Sequence, residues 1–312
     1  MAAKEKQQPV PTVFIAVRRN VTLLTELAKK YPHVRVLSLE RKDLFTTIKA
    51  LRLNKVQYII TQQTFSRIVL RIKLFAWVCA RYSGAQLVGY DDLASYNRFI
   101  YSRLWKFDTK VLFPLEMQRL AGRLGFDAPY VQPSLRWDVE PIRLDTHFVI
   151  HLNAFTPSRS WPAAKWQSLL KHLRELWPER TFIFTGSKAD RAFIDLAIAG
   201  IPGCDNKAGL LSLTELIATL DTCALFIGVD TGITHLAAFR HVLSVIVGNN
   251  SNPCWWSTYS PKTLWLSAPE HCTCRGDKTG DCSVCIDGQK YYRCLFDIKE
   301  GQVITAVATC LK

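Results

Sequence analysis

Short apolar runs alternate along this chain with stretches in which apolar residues return every three or four positions, the pattern of buried strands between amphipathic helices. In the first half the runs at 12–17, 34–39 and 56–60 read as strands. Helices are expected from the loop 18–20 to about Lys30, where Pro32 ends the first, and over 43–52. Residues 64–82 form another helical stretch, with Arg67, Arg71 and Arg81 towards one face and Ile68, Ile72, Phe75 and Val78 on another. That pattern fits a sheet-covering helix with a solvated basic side, or a basic amphipathic helix that seeks a surface. A further strand enters a loop with two adjacent carboxylates, Asp91 and Asp92, within 86–92.

The second half restarts the same alternation. Strands are expected at 147–153, 181–185, 223–229, 243–247 and 263–267, and helices from Trp161-Pro162 to about Trp177, over 213–220, from about Ile233, and over 300–311. Repeated βαβ units of this kind predict α/β domains with parallel sheets. The stretch 137–145 contains Pro141 and lacks periodicity, which makes it the natural linker. The expected organisation is a leader over 1–11, an N-terminal domain over 12–138, a linker over 139–146, and a C-terminal domain over 147–299. A Cys-rich excursion at 272–294 and a closing helix in 300–312 complete it.

A length of 312 residues suits two domains of about 150 residues each. No run approaches the roughly 20 apolar residues of a membrane span, and the polar start Met-Ala-Ala-Lys-Glu-Lys-Gln-Gln carries no signal-peptide core, so the cytoplasm is the expected compartment. Charge changes the picture most. The net charge is +14, and residues 1–137 hold 23 Lys plus Arg against 9 Asp plus Glu, leaving 17 of each for the rest. One basic domain and one neutral domain imply that the first meets a polyanion, whether nucleic acid, an anionic membrane or an acidic glycolipid.

The candidate chemistry lies at the ends of the second-half strands. Phe226-Ile-Gly-Val-Asp-Thr-Gly-Ile-Thr-His-Leu-Ala-Ala238 is a strand that turns directly into a helix. Such a turn exposes unpaired helix N–H groups, which favour an anion such as phosphate. Gly232 permits close approach, Thr231 and Thr234 offer hydroxyls, and His235 lies on the first helical turn. Asp230 suits a helix cap or a bond from a sugar hydroxyl. The loops 153–160 and 185–190 should converge on the same rim, with Arg159 gripping a diphosphate and Thr156, Ser158, Gly186 and Ser187 beside it. Neither Gly-x-Gly-x-x-Gly after the first strand nor Gly-x-x-x-x-Gly-Lys-Ser/Thr is present, which disfavours a dinucleotide-dependent dehydrogenase or a P-loop enzyme.

Of ten cysteines, Cys272, Cys274, Cys282, Cys285 and Cys294 crowd into one stretch. Cys282-x-x-Cys285 has ligand spacing, so these can hold a structural zinc or stand as reduced thiols. A nucleic-acid-binding protein with a zinc-ribbon tail is disfavoured, because the basic excess lies in the opposite half from the cysteines.

The stretch from Leu213 to Ala238 resembles the donor-site signature of the bacterial lipopolysaccharide heptosyltransferases, glycosyltransferase family nine. Arg159-Ser-Trp-Pro162 resembles that family's basic-x-Trp-Pro loop, and Leu87-Val-Gly-Tyr-Asp91 its N-domain Ile-Gly-Tyr/Phe-Asp stretch. Cys282-x-x-Cys285 with 293–298 resembles its C-terminal tail. The resemblance implies a GT-B fold, two Rossmann-like domains whose parallel sheets face across a cleft. It also implies an inverting transfer that requires no metal, from a nucleotide-diphospho-sugar, usually ADP-heptose, to the lipopolysaccharide inner core at the inner-membrane face. Asp230, Thr231, Gly232 and His235 would then hold the donor, and Arg159 would stand where the family has a phosphate-binding Lys.

The resemblance further implies that Arg18, Gln62, Gln63, Ser66, Arg67 and Arg71 meet the anionic acceptor. It also exposes a departure: Asn20 stands where the family places its general-base Asp, and an amide is no base near neutral pH. Three outcomes remain open. Asp91 or Asp92 serves instead, transfer runs slowly without a base, or the chain binds the donor without turning it over.

Overall fold

The structure is a computed structural model that describes residues 12–17, 34–39, 44–53, 55–61, 69–90, 96–106, 108, 111, 113–125, 146–248, 260–267, 283–286 and 288–312. The chain divides into two compact units, Met1–Asp108 and Thr109–Lys312. The expected linker around 137–145 lies outside the described residues.

In the first unit β1 (Thr12–Val17) pairs parallel with β2 (Val34–Leu39), in the register Thr12 to Val34 through Val17 to Leu39. A second parallel sheet runs in the order β3 (Tyr58–Thr61), β4 (Gln86–Tyr90), β5 (Arg103–Trp105). Helix α1 (Leu44–Leu53) precedes β3 and packs on α2 (Val69–Ser83), which lies against β3 and β4. Short α3 (Asn97–Ile100) leads into β5. Ala76 and Ala80 of α2 bury against Leu87, Ile100 and Tyr101. Small residues on that face bring the helix axis close to the sheet. Lys73 on the same face is 4% exposed, donates to Asn97 Oδ1 at 2.8 Å and lies over the Tyr96 ring, so its charge is hydrogen-bonded inside the unit.

The second unit opens with α4 (Phe113–Arg123) and is built on six parallel strands in the order β11 (Thr263–Leu266), β10 (Ser244–Val247), β9 (Leu225–Val229), β6 (His147–His151), β7 (Thr181–Phe184), β8 (Cys204–Asn206). The helices are α5 (Ala163–Leu176), α6 (Arg191–Ile198), α7 (Leu213–Thr222), α8 (Gly232–Phe239), α9 (Arg293–Phe296) and α10 (Glu300–Cys310). Strand side chains alternate between two cores. Phe148, Ile150, Leu225, Ile227, Val229, Val245 and Val247 enter one with Trp166, Leu169, Leu170 and Leu173 of α5 and Val303 and Val307 of α10. Val149, Phe226 and Ile246 enter the other with Leu220 of α7 and Ala237 of α8. A sheet buried on both faces explains why these strands read as unbroken apolar runs.

Elements beyond the sequence reading include β5, the edge strand β8, helices α6 and α9, and the antiparallel hairpin of β12 (Ser283–Ile286) with β13 (Gln289–Tyr292) at the end of the expected Cys-rich excursion. The positive φ of Gly288, 76°, suits the turn of that hairpin. Among the described residues, no helix is long and apolar enough to cross a membrane.

Candidate functional site

Strand order decides where the second unit can hold a ligand. β6 lies at the middle, the chain proceeding outward through β7 and β8 on one side and later through β9, β10 and β11 on the other. The loops after β6 and β9 therefore leave the sheet edge in opposite directions and open a crevice between them, the switch point at which ligands bind in such sheets. Arg159 stands on the loop after β6 and Asp230 on the loop after β9.

These two side chains meet. Arg159 Nη2 donates to Asp230 Oδ2 at 2.6 Å, and His235 Nε2 lies 3.8 Å from Asp230 Oδ1. Asp230 is 8% exposed and the Arg159 side chain 36%, so the carboxylate forms the floor of the site while part of the guanidinium fork faces solvent. Burial pushes the Asp230 carboxyl above its ordinary value, against the opposing pull of Arg159 and His235. Burial likewise pulls His235 below 6.5, opposed by Asp230. The crevice thus holds a constitutive cation, Arg159, and a histidine that is reluctant to charge.

Asp230 does not cap the helix. The N-cap of α8 is Thr231, in extended conformation with φ −147°, and it makes no side-chain capping bond. Thr231 Oγ1 is buried and has no hydrogen-bond partner among the described residues. Thr234 Oγ1 donates to Val229 O at 2.6 Å and is fully buried, so this hydroxyl ties the helix to β9 and does not face the crevice. Among the described residues, a Cβ built on Gly232 would meet nothing within 4 Å, which leaves open ground in front of the first N–H groups of α8.

The rim after β6 and β7 is tied by residues the motif reading passed over. Asp190 Oδ2 accepts from both the N–H and the hydroxyl of Ser187, at 2.7 and 2.6 Å, and Oδ1 accepts from Asn153 Nδ2 at 3.0 Å. Burial raises the Asp190 carboxyl, but these bonds and His151 outweigh it and hold it below its ordinary value. The Ser187 hydroxyl, expected to serve a diphosphate, is thus committed to a capping box at the turn Lys188–Asp190. Gly186 lets the box close, because a Cβ there would come within 3.0 Å of Asp190 Cβ. Below it His151 Nδ1 lies 3.2 Å from Thr185 Oγ1, and burial pulls this imidazole down as well. The signal in the sequence was Ser187-x-x-Asp190 immediately before an apolar helical run.

The turn Pro157–Arg159 is held from behind. Thr156, exposed at the loop tip, accepts the Arg159 N–H through its carbonyl at 2.9 Å, and Ser158 is half-buried. Trp161 is fully buried, stacks obliquely on Trp166 at 4.9 Å and donates its Nε1–H to Leu295 O at 2.6 Å. Lys165 Nζ donates to the carbonyls of Phe296 and Ile298, closing the C-terminal end of α9. Strand β13 packs against the same turn. The Trp-Pro element is thus the seat of the C-terminal tail, and Pro162 forms the N-cap of α5.

Residues 117–282 match the sequence profile of glycosyltransferase family 9 (heptosyltransferase). The matched span is more than half of the chain and contains every donor-side residue described above. The chain belongs to glycosyltransferase family 9. Among solved structures, this family 9 chain is similar to the Escherichia coli ADP-heptose LPS heptosyltransferase II, with a TM-score of 0.68, 16% identity, and coverage of 96% of this chain and 88% of that one. It is also similar to a family 9 glycosyltransferase from Veillonella parvula, with a TM-score of 0.70, 17% identity and coverage of 96% and 88%. The E. coli heptosyltransferase WaaC with ADP aligns with a TM-score of 0.61, 15% identity and coverage of 96% and 99%. What is shared at such identities is the fold, and the fold class of this family 9 protein is the α/β GT-B class of those heptosyltransferases. No curated protein sequence matches the chain.

Several expected residues lie outside the described ones: Arg18, Asn20, Gln62, Gln63, Ser66, Arg67, Asp91, Asp92, Cys272, Cys274 and Cys282. Of the acceptor-side set, Arg71 is described and is exposed on the first turn of α2. Of the cysteines, Cys285 is exposed on β12 and Cys294 is fully buried on α9. Among the described residues no group of three or more His, Cys, Asp or Glu side chains is gathered to hold a metal.

Proposed function

We propose that this family 9 glycosyltransferase moves a heptose or a closely related sugar from a nucleotide-diphospho-sugar, ADP-heptose being the first candidate, onto the anionic inner core of lipopolysaccharide. The observation that carries the reading is the Arg159–Asp230 contact at the switch point, beside the N-terminus of α8. Arg159 supplies a planar fork for the diphosphate, the α8 N–H groups supply the positive end of a helix dipole, and Asp230 orients Arg159 and offers an acceptor to a sugar hydroxyl. All three act before the bond breaks. As the bond between the anomeric carbon and the phosphate oxygen lengthens, negative charge grows on the leaving nucleoside diphosphate, and donors already in place stabilise it without reorganisation.

In this reading the acceptor hydroxyl attacks the anomeric carbon from the opposite side, which inverts it, and the chemical step uses no metal. The proton passes to a carboxylate, Asp91 or Asp92 being the candidates in place of Asn20. Arg18, Gln62, Gln63, Ser66, Arg67 and Arg71 receive the acceptor's anionic groups, and the domains extend over 12–138 and 147–299. The acceptor being lipid-linked, the protein works in the cytoplasm at the inner-membrane face. Structural zinc at the five clustered cysteines is a separate proposal, tested by metal analysis of protein purified without added zinc.

The first test is thermal unfolding with ADP, UDP, GDP and CDP, on the wild type and on Asp230→Ala, His235→Ala and Arg159→Ala. A nucleotide at about a hundred times its Kd adds roughly 2.7 kcal/mol. Stabilisation by ADP above the other three, weakened in the variants, supports the donor site, whereas no stabilisation by any nucleotide removes it. Asn20 favours a second reading, a homologue that binds the donor without transfer. Loss of a general base costs roughly a hundred- to ten-thousand-fold in rate, so slow turnover abolished by Asp230→Ala decides for the enzyme.

A further inference from the structure

The first unit carries an apolar face that its own core does not use. Along α2, Leu70, Leu74, Trp77 and Arg81 follow one another at helical spacing, and all four are exposed, Leu74 by 45% and Trp77 by 40%. The buried side of the helix is the other one, Ala76 and Ala80 against Leu87. The exposed stripe is therefore additional to the sheet-covering face. At its lower end Trp77 and Arg81 line a cavity of about 310 Å³ together with Phe99 and Tyr101, and Phe99 is 74% exposed. Helix α1 reaches the C-terminal end of α2, where Arg52 Nε donates to Tyr82 O at 2.6 Å.

Charge says what this face suits. Between Leu44 and Lys106 there are ten Lys and Arg and only two carboxylates, Asp91 and Asp92, which follow the carboxyl end of β4. The cavity lies towards the opposite end of that strand, where Ala85 precedes it and Leu87 is its second residue. Arg81 stands in the stripe itself, and Arg98 lies over the Phe99 ring at 5.1 Å. Aliphatic and aromatic side chains interleaved with cations, with no Asp or Glu among the described residues of 69–106, match the boundary of an anionic bilayer. The rings and Leu side chains enter the headgroup region and the guanidinium groups meet lipid phosphate. Nucleic acid would use the cations and the rings but would leave Leu70 and Leu74 in water.

We propose that the outer face of α2, with the Phe99 cavity, is a docking surface for an anionic membrane. Docking needs no donor and no transfer, so the proposal stands or falls apart from the glycosyl-transfer reading. Each cation near such a surface is worth roughly a fivefold gain in partitioning, and each is weakened by salt.

The test is flotation of the full chain with vesicles of phosphatidylcholine alone or of phosphatidylcholine with phosphatidylglycerol. Binding is expected to the second kind only, to fall with salt, and to drop at least about tenfold in Leu74→Gln/Trp77→Gln/Phe99→Ser, whose nucleotide-induced thermal shift should equal that of the wild type. Arg81→Glu, a single exposed change, repeats the test if the triple variant unfolds early. Absence of wild-type flotation with anionic vesicles overturns the proposal, as does full binding by both variants. A variant that loses affinity for single-stranded RNA while still floating assigns the face to nucleic acid. One that converts a wild-type dimer to a monomer while still floating assigns it to a second copy. Either outcome also overturns the proposal.

Discussion

Arg159 and Asp230 are 71 residues apart in sequence and 2.6 Å apart at the crevice between β6 and β9. A guanidinium already paired and oriented can turn its remaining N–H donors towards an incoming diphosphate with little loss of side-chain freedom.

Arg159→Ala should therefore act twice. Among the described residues the Asp230 carboxylate, 8% exposed, then keeps only His235 at 3.8 Å, and because Arg159 is 36% exposed the stability cost should lie near the lower end of the roughly 1–3 kcal/mol for an orphaned buried acceptor. Nucleotide binding should fall by at least about tenfold. Arg159→Lys should recover stability more than binding, because an ammonium pairs with Asp230 but lacks the fork. Thermal unfolding and calorimetric titration with ADP read the two effects separately.

Stability should decline on the acid side in two stages. Burial lowers His151 and His235 below 6.5, so the folded state binds fewer protons than the unfolded one just under that value. Their contribution is complete above about pH 6.5 and is lost as pH falls towards the folded values. Asp190, held below 3.8 by its hydrogen bonds, adds a later loss as pH falls through its folded value. Asp230, raised by burial, works in the opposite sense: its share is greatest below 3.8 and is lost as pH rises through the folded value. His151→Gln should flatten the first stage in a series of melting temperatures across about pH 5–8. A series identical to the wild type would remove His151 from the account.

Trp161 ties the donor loop to the C-terminal tail through one indole bond to Leu295 O. Trp161→Phe keeps most of the ring volume and removes the indole bond, while the Ile298 N–H still reaches that carbonyl at 3.3 Å, so it should cost about 0.5–1.5 kcal/mol. Trp161→Ala should cost about 3–5 kcal/mol. Hydrogen exchange should show the release as faster exchange in β13 and α9. Unchanged exchange there would mean that the tail is held without Trp161.

Asp221 and Arg240 form a two-bond pair at 2.8 and 2.7 Å between the C-terminal ends of α7 and α8, with side chains 7% and 5% exposed. Asp221→Ala leaves a buried guanidinium and should cost about 3–5 kcal/mol, whereas Asp221→Leu with Arg240→Met should recover most of it. Arg240 sits about 14 Å from Thr231 along α8. Variants that remain folded should bind ADP as the wild type does. A change in affinity would extend the donor site beyond the rim.

The sequence by itself determined the central strands of the second unit. Strands buried on both faces must be apolar throughout, so β6, β7, β9 and β10 appear as runs, and Asp230-Thr-Gly marks where one of them turns into a helix. Ser212-x-x-Glu215 shows its capping box directly, because the partners are three residues apart. Convergence of the loops after β6, β7 and β9 followed from the βαβ alternation, but their order did not. Only the tertiary structure decided that β6 lies between β7 and β9, and hence that Arg159 reaches Asp230 rather than solvent. The same holds for Asn153 on Asp190 and for Trp161 on Leu295. A local pattern records which face a side chain takes, because the backbone repeat fixes it. Which partner it meets across a sheet depends on strand order and loop path, and these are set by the packing of the whole domain.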